Sequence, residues 1–219
     1  MNTRFKNLSW LAAFAVLVGL GIIIACGGGS GNNGGLNGGA NVSGAQGAIA
    51  NICDCTPSES EADDYRHAEK HVGLPGSTGQ QISVSTILSW AQGPDPADDA
   101  PRSGRENQEF FIPRAYLQFV WLFAGDCDIH MELSDSPSKS APRVIVETPI
   151  DSEYCSARQT IQQQLADNGV TLSTTGQEIS NPLPVQVLGL AFQDKRHKRG
   201  TQFVATVWEL HPAIVSVTQ

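Results

Sequence analysis

The chain has 219 residues, of which 40% are hydrophobic and 16% charged, and its formal net charge is -8. That length accommodates one domain with extensions, and an acidic balance argues against sequence-independent grip on phosphate backbones, which needs surplus Lys and Arg. The 22 glycines are not spread evenly: ten of them lie between Cys26 and Gly47, so that part of the chain is not globular.

Residues 1–25 have the layout of a secretory signal. Arg4 and Lys6 form a basic start, and Leu8 to Ala25 is almost wholly apolar. The run ends Ile23-Ile24-Ala25-Cys26, which resembles the lipobox of bacterial lipoproteins. That resemblance implies cleavage before Cys26, a diacylglyceryl group on its sulfur and an acyl chain on the new amino group. Two or three acyl chains anchor stably where one does not. The alternative is an uncleaved membrane helix. Gly27, where Asp would retain a Gram-negative lipoprotein in the inner membrane, implies an extracytoplasmic protein, on the outer membrane if the envelope is Gram-negative. Without the leader, 12 basic residues face 22 acidic ones, a balance of -10. Residues 26–50, rich in Gly, Asn and Ser, read as a flexible tether with a root-mean-square span of ~25 Å.

Residues 51–75 hold a short helical candidate. Thr56 can cap it, Pro57 suits its first turn, and Gly73 and Pro75 stop it. Cys53, Cys55, His67 and His71 read C-x-C-x11-H-x3-H, near zinc-finger spacing. The first gap is one residue short for the two-cysteine knuckle, and an oxidising compartment favours paired thiols. The expectation is therefore a capped helix with solvated histidines.

Residues 76–219 read as a β domain. Gln81 to Trp90 alternates weakly, as a strand does; Gly93 to Glu106 is a loop. Phe110 to Ala124 is a long apolar strand, and Gly125 to Asp135 alternates strictly. Asp126, Asp128, His130 and Glu132 fall on one face, Cys127, Ile129, Met131 and Leu133 on the core face. Arg143 to Thr148 is a further strand, Ser152 to Asn168 a helix, Pro184 to Gln193 a strand, and Thr201 to Val217 a last strand broken or bent at Pro212. The order strand, strand, strand, helix, strand, strand predicts a mainly β, five-stranded OB-like Greek-key barrel with its helix between strands three and four. An immunoglobulin-like sandwich competes, but wants seven short strands and no such helix.

The set D-C-D-I-H, R-V-I-V-E-T-P, A-R-Q-T-I and W-E-L-H-P, from about Leu117 to Val217, resembles a group of uncharacterised exported bacterial proteins with D-x-D-x-H, E-x-P and E-L-H-P motifs. The resemblance implies the barrel and shared polar positions, and no activity. The strand order is also similar to staphylococcal-nuclease-like barrels, whose arginine-flanked phosphate grip is not recognisable here.

Three sets of residues are candidates for function. Asp126, Asp128, His130, Glu147, Glu209 and His211 lie on outer faces of three strands and could hold a divalent metal such as Zn, Mn or Ca, or bind a ligand. Their bland alternative is a polar face with cross-strand hydrogen bonds. Lys195, Arg196, Lys198 and Arg199 form the dense basic run, placed to meet an anionic polymer or to be a solvated turn. Cys127 and Cys155 are expected to form a disulfide. No nucleophile elbow, Walker A loop or dinucleotide-binding glycine motif is present. The reading is a lipid-anchored binding module of the envelope with a protein or polymer partner, nucleic acid being disfavoured; a metal-dependent nuclease-like hydrolase and a purely structural protein are the alternatives.

Overall fold

The computed structural model describes residues 51–60, 64–73, 76, 78–199 and 202–218. The expected leader, Cys26 and the tether lie outside the described residues.

Five strands close a mixed barrel. They are β2 (Glu109–Leu122), β3 (Ile129–Ser134), β4 (Val144–Thr148), β5 (Gln177–Gln193) and β8 (Trp208–Val217), in the order β2-β3-β4-β8-β5 and back to β2. β4 and β8 run parallel; the other pairs of the ring are antiparallel. This is the expected OB-like arrangement, with α3 (Cys155–Asp167) between the third and fourth barrel strands. Closure depends on β2. Its second half pairs β3 while nearly its whole length pairs β5, with a register shift at Leu117–Phe119 against both partners. A bulge there gives the bend that lets one strand serve two sheets.

Period-two patterning sets the core. Ile129, Met131 and Leu133 of β3 and Val144 and Val146 of β4 are buried inside the ring, facing Leu117, Val185, Val187, Leu210 and Val215. α3 adds Ile161 and Leu165. Its buried stripe also includes Arg158, while Ala166, expected on that face, is exposed. Gly169 at φ 73 ends the helix in the left-handed conformation that glycine adopts without steric cost.

The structure corrects four local expectations. Gln81 to Trp90 is not a strand: β1 (Gln80–Gln81) is two residues long, and Val84–Leu88 forms the helix α2. Ser83 caps that helix with a capping box, and the Asp135 carboxylate accepts from the backbone of Val84 and Ser85 at 3.0 and 2.7 Å. A tertiary cap thus overrides a weak alternation. Among the described residues of 51–75 there is one helical turn, α1 (His67–Lys70), which starts after Arg66 and not at Thr56. The alternating strand begins only at Ile129, because Cys127 sits in a turn at φ 68.

The last correction is to β8. Of the two outcomes expected at Pro212, a break or a bend, the break is absent: the strand runs through Pro212, with pairing to β5 slipping between Gly189 and Ala191. Proline has no N–H to give a ladder, so it is accommodated at an irregularity. β6 (Lys198–Arg199) and β7 (Gln202–Phe203) form a hairpin between β5 and β8.

The expected Cys127–Cys155 disulfide is not formed. Cys53 pairs with Cys155 and Cys55 with Cys127, with Cα separations of 5.3 and 5.9 Å. The C-x-C segment crosses the start of α3 and the turn before β3, so each thiol meets a different partner. Between the two bridges lies buried Arg158, whose guanidinium donates to the carbonyls of Ile52 (3.1 and 3.2 Å), Thr148 (2.8 Å) and Cys127 (2.8 Å). Among the described residues no helix is long and apolar enough to cross a membrane.

Candidate functional site

The outer face of β3, β4 and β8 carries the candidate residues. With apolar side chains turned inward, Asp128, His130 and Glu132 face outward from the turn and strand, Glu147 from β4, and Glu209 and His211 from β8. Strand pairing sets His130 directly opposite Glu147. Leu210 and Ala213 are both in the core with His211 and Pro212 between them, so the slip in pairing leaves the His211 ring on the polar side.

This face is not solvated. Asp128, Glu132, Glu209 and His211 are all buried. The Asp64–Lys70 stretch and the loop before β2 cover it. Lys70 Nζ bonds Asp64 Oδ1 at 2.9 Å, and Arg102 donates to the His211 carbonyl at 3.1 Å. A charge buried alone would be prohibitive, so burial requires pairing.

The pairing is a chain of alternating signs. Arg143 contacts Glu132 Oε2 at 3.0 Å, and His130 Nε2 is 3.8 Å from Glu132 Oε1. His130 Nδ1 meets Glu147 Oε1 at 2.6 Å. His211 Nδ1 lies 3.0 Å from Glu147 Oε2 and 3.3 Å from Glu209 Oε1. Its Nε2 lies 3.0 Å from Asp128 Oδ2, an ion pair rather than an aligned hydrogen bond. Asp128 Oδ1 accepts from Ile150 N at 2.9 Å.

Protonation follows from these contacts. Burial opposes charge on His130, but Glu132 and Glu147 outweigh it and lift its pKa to about 10. Burial likewise opposes charge on His211, and Asp128, Glu147 and Glu209 hold it well above the ordinary value. Both rings are therefore imidazolium at neutral pH. Burial opposes the charge of Glu147 too, yet the two imidazoliums hold it well below the usual carboxylate range. The surplus acids go the other way. Burial, and then repulsion from Asp128 and Glu147, raises Asp126 to about 7; burial and Glu147 raise Glu209 to about 7.

Above the network lies a cleft of about 430 Å³. Tyr65, Trp121 and Phe123 supply aromatic walls; Asp126, His130, Glu147 and Glu209 form part of its lining, and Asp194, Lys195 and His197 come from the β5–β8 connection. Trp121 is fixed by donating from Nε1 to Thr174 O at 2.9 Å and stacks edge-on with Phe123 at 4.8 Å. In OB-type barrels this outer strand face and this loop are where ligands dock.

The structure thus brings Asp126, Asp128, His130, Glu147, Glu209 and His211 to one place, and ligand atoms of Asp128, Glu147 and His211 lie within 4.8 Å of one another. The basic run is dispersed instead. Lys195 lies 4.8 Å over the Tyr65 ring, Arg196 donates to Gln92 Oε1 at 2.6 Å, and Lys198 is exposed in β6 beside Arg199. Sequence reasoning missed Asp64, Lys70 and Arg143, whose roles come from tertiary packing alone. Glu132 was visible in the alternating row but not among the candidates. Comparison of the chain with family models, with curated proteins and with solved structures found no match.

Proposed function

We propose that this chain is a lipid-anchored binding module of the bacterial envelope, tethered through Cys26, which takes a neutral or cationic ligand in the cleft on the outer face of its barrel. The cleft lining carries the reading. Aromatic rings for stacking stand beside six acids, Glu59, Asp64, Asp126, Glu147, Asp194 and Glu209, which outnumber the four basic groups Lys70, His130, Lys195 and His197. Carboxylates accept from hydroxyls and ammonium groups and repel anions. The two disulfides suit an oxidising compartment outside the cytoplasm, which agrees with the leader and its lipobox.

A nuclease-type hydrolase receives less support. Its candidate metal ligands Asp128 and His211 are 1% and 0% exposed, and both are engaged in ion pairs beneath the cleft. A substrate phosphate in the cleft would meet a lining of mixed sign, with no arginine among its residues. The basic run receives less support as a polyanion site because Lys195 and Arg196 are drawn into local contacts.

Calorimetric titration with a cationic oligopeptide, a neutral oligosaccharide and heparin tests the cleft. Binding of one of the first two, weakened tenfold or more in Trp121→Ala, is the expected result; binding of heparin alone would overturn the reading. Metabolic labelling with a radioactive fatty acid tests the anchor, with incorporation expected in the native chain and lost in Cys26→Ser.

A further inference from the structure

Beside the cleft is a second, smaller cavity of about 110 Å³, lined by Glu59, Ser60, Asp64, His67, His71, Asp126 and Asp151 among others. The histidines were expected to be solvated, but the His71 side chain is only 6% exposed and that of Asp64 9%. His67 and His71 sit one helical turn apart across α1, with their rings stacked at 3.9 Å between centroids. The Cys53 and Cys55 thiols, which completed the finger-like spacing, are consumed in disulfides. What remains is a different donor set.

We propose that Asp64, His67 and His71 form a binding site for a divalent transition-metal ion of the zinc class, held at the wall of this cavity. Four observations carry it. First, His71 Nε2 is buried with no hydrogen-bond partner. A buried imidazole nitrogen left bare is costly unless something occupies it. Second, His71 Nδ1 is 2.6 Å from Asp151 Oδ2. A carboxylate on one ring nitrogen fixes the tautomer that leaves the other nitrogen's lone pair for a metal.

Third, Asp64 presents one oxygen. Lys70 Nζ holds Oδ1 at 2.9 Å, while Oδ2 lies 3.0 Å from His67 Nδ1 and 3.9 Å from His71 Nε2. Neighbouring ligands of a tetrahedral ion with bonds of about 2.1 Å stand roughly 3.4 Å apart, so small side-chain shifts close the site. Fourth, ligand atoms of all three residues lie within 4.8 Å of one another. Two imidazoles and one carboxylate suit zinc better than calcium or magnesium, which take oxygen. Three protein ligands leave a fourth position toward the cavity, where Asp126 and Glu59 stand.

This site is separate from the Asp128–Glu147–His211 group, which offers a single imidazole. Zinc K-edge X-ray absorption on the full chain, purified in detergent and loaded with Zn²⁺ alone, separates them without any variant. One bound ion with two imidazole nitrogens is expected; one imidazole or none, or no bound ion, would overturn the proposal. In zinc titrations, His71→Ala should abolish binding, and Asp151→Asn should weaken it 10–100-fold as loss of an orienting carboxylate does. Retention of full affinity in His71→Ala would assign the ion elsewhere.

Discussion

His130 shows how one residue makes the buried network dependent on pH. Its folded pKa of about 10 stands above its ordinary value of 6.5, so its contribution to stability is complete below about 6.5 and is lost as pH rises through 10. Glu147, held low by the imidazoliums, behaves oppositely: its contribution is complete above its ordinary value of 4.5 and is lost as pH falls below it toward the folded value. The protein should therefore lose thermal stability between pH 7 and 10, and His130→Gln should flatten that loss. At pH 6 the same variant should be destabilised by about 2 kcal/mol, because Glu132 and Glu147 each lose one buried cationic partner and keep only Arg143 and His211; denaturant unfolding at both pH values measures it. Arg158 is a second such residue. Burial lowers its pKa to about 10, still leaving it charged at neutral pH. Arg158→Met strands the carbonyls of Ile52, Thr148 and Cys127 and should cost roughly 2–4 kcal/mol in the same measurement.

At the scale of elements, the meeting of β5 and β8 at the bulge is tight. A Cβ on Gly189 would stand 2.9 Å from the Pro212 carbonyl oxygen and 3.0 Å from the Cβ atoms of Leu210 and Ala213. Gly189→Ala should therefore destabilise by about 1–3 kcal/mol and shift amide resonances around His211; an unchanged melting temperature would show that the strands can part at no cost. Elements were legible in the sequence where a single interaction dominates. β3 could be read because Ile129, Met131 and Leu133 alternate without exception, and α3 because its apolar stripe ends at Asn168-Gly169. α2 could not, because Asp135, some fifty residues away, caps it. β8 was read as broken or bent because proline is a strong local signal, while the slip in pairing that accommodates it is set by the partner strand.

For the whole molecule, the barrel was legible from the order of its elements, and the outward polar row from its period. What covers that row was not. Local spacing made His67 and His71 the exposed end of a helix, whereas packing against Asp64 and Asp151 buries His71. The cysteine pairing failed for the same reason. Proximity of Cys127 and Cys155 to one another was inferred from the barrel alone, without the segment that reaches both. Either bridge, closing a loop of 72 or 102 residues, should stabilise the fold by about 4–5 kcal/mol in the chain-entropy description. Non-reducing peptide mapping should recover Cys53–Cys155 and Cys55–Cys127 peptides, and Cys55→Ser with Cys127→Ser should lower the unfolding free energy by that order.

The position of those bridges bears on how the molecule withstands mechanical stress. A pull arriving from the amino-terminal side reaches the folded body at Cys53 and Cys55, and there it passes into covalent links to α3 and to the turn before β3. The load is shared between two anchorage points before it reaches any strand-to-strand hydrogen bond. Under the anchoring proposed above, the body would be protected from being unzipped from that end for as long as both sulfur bonds survive.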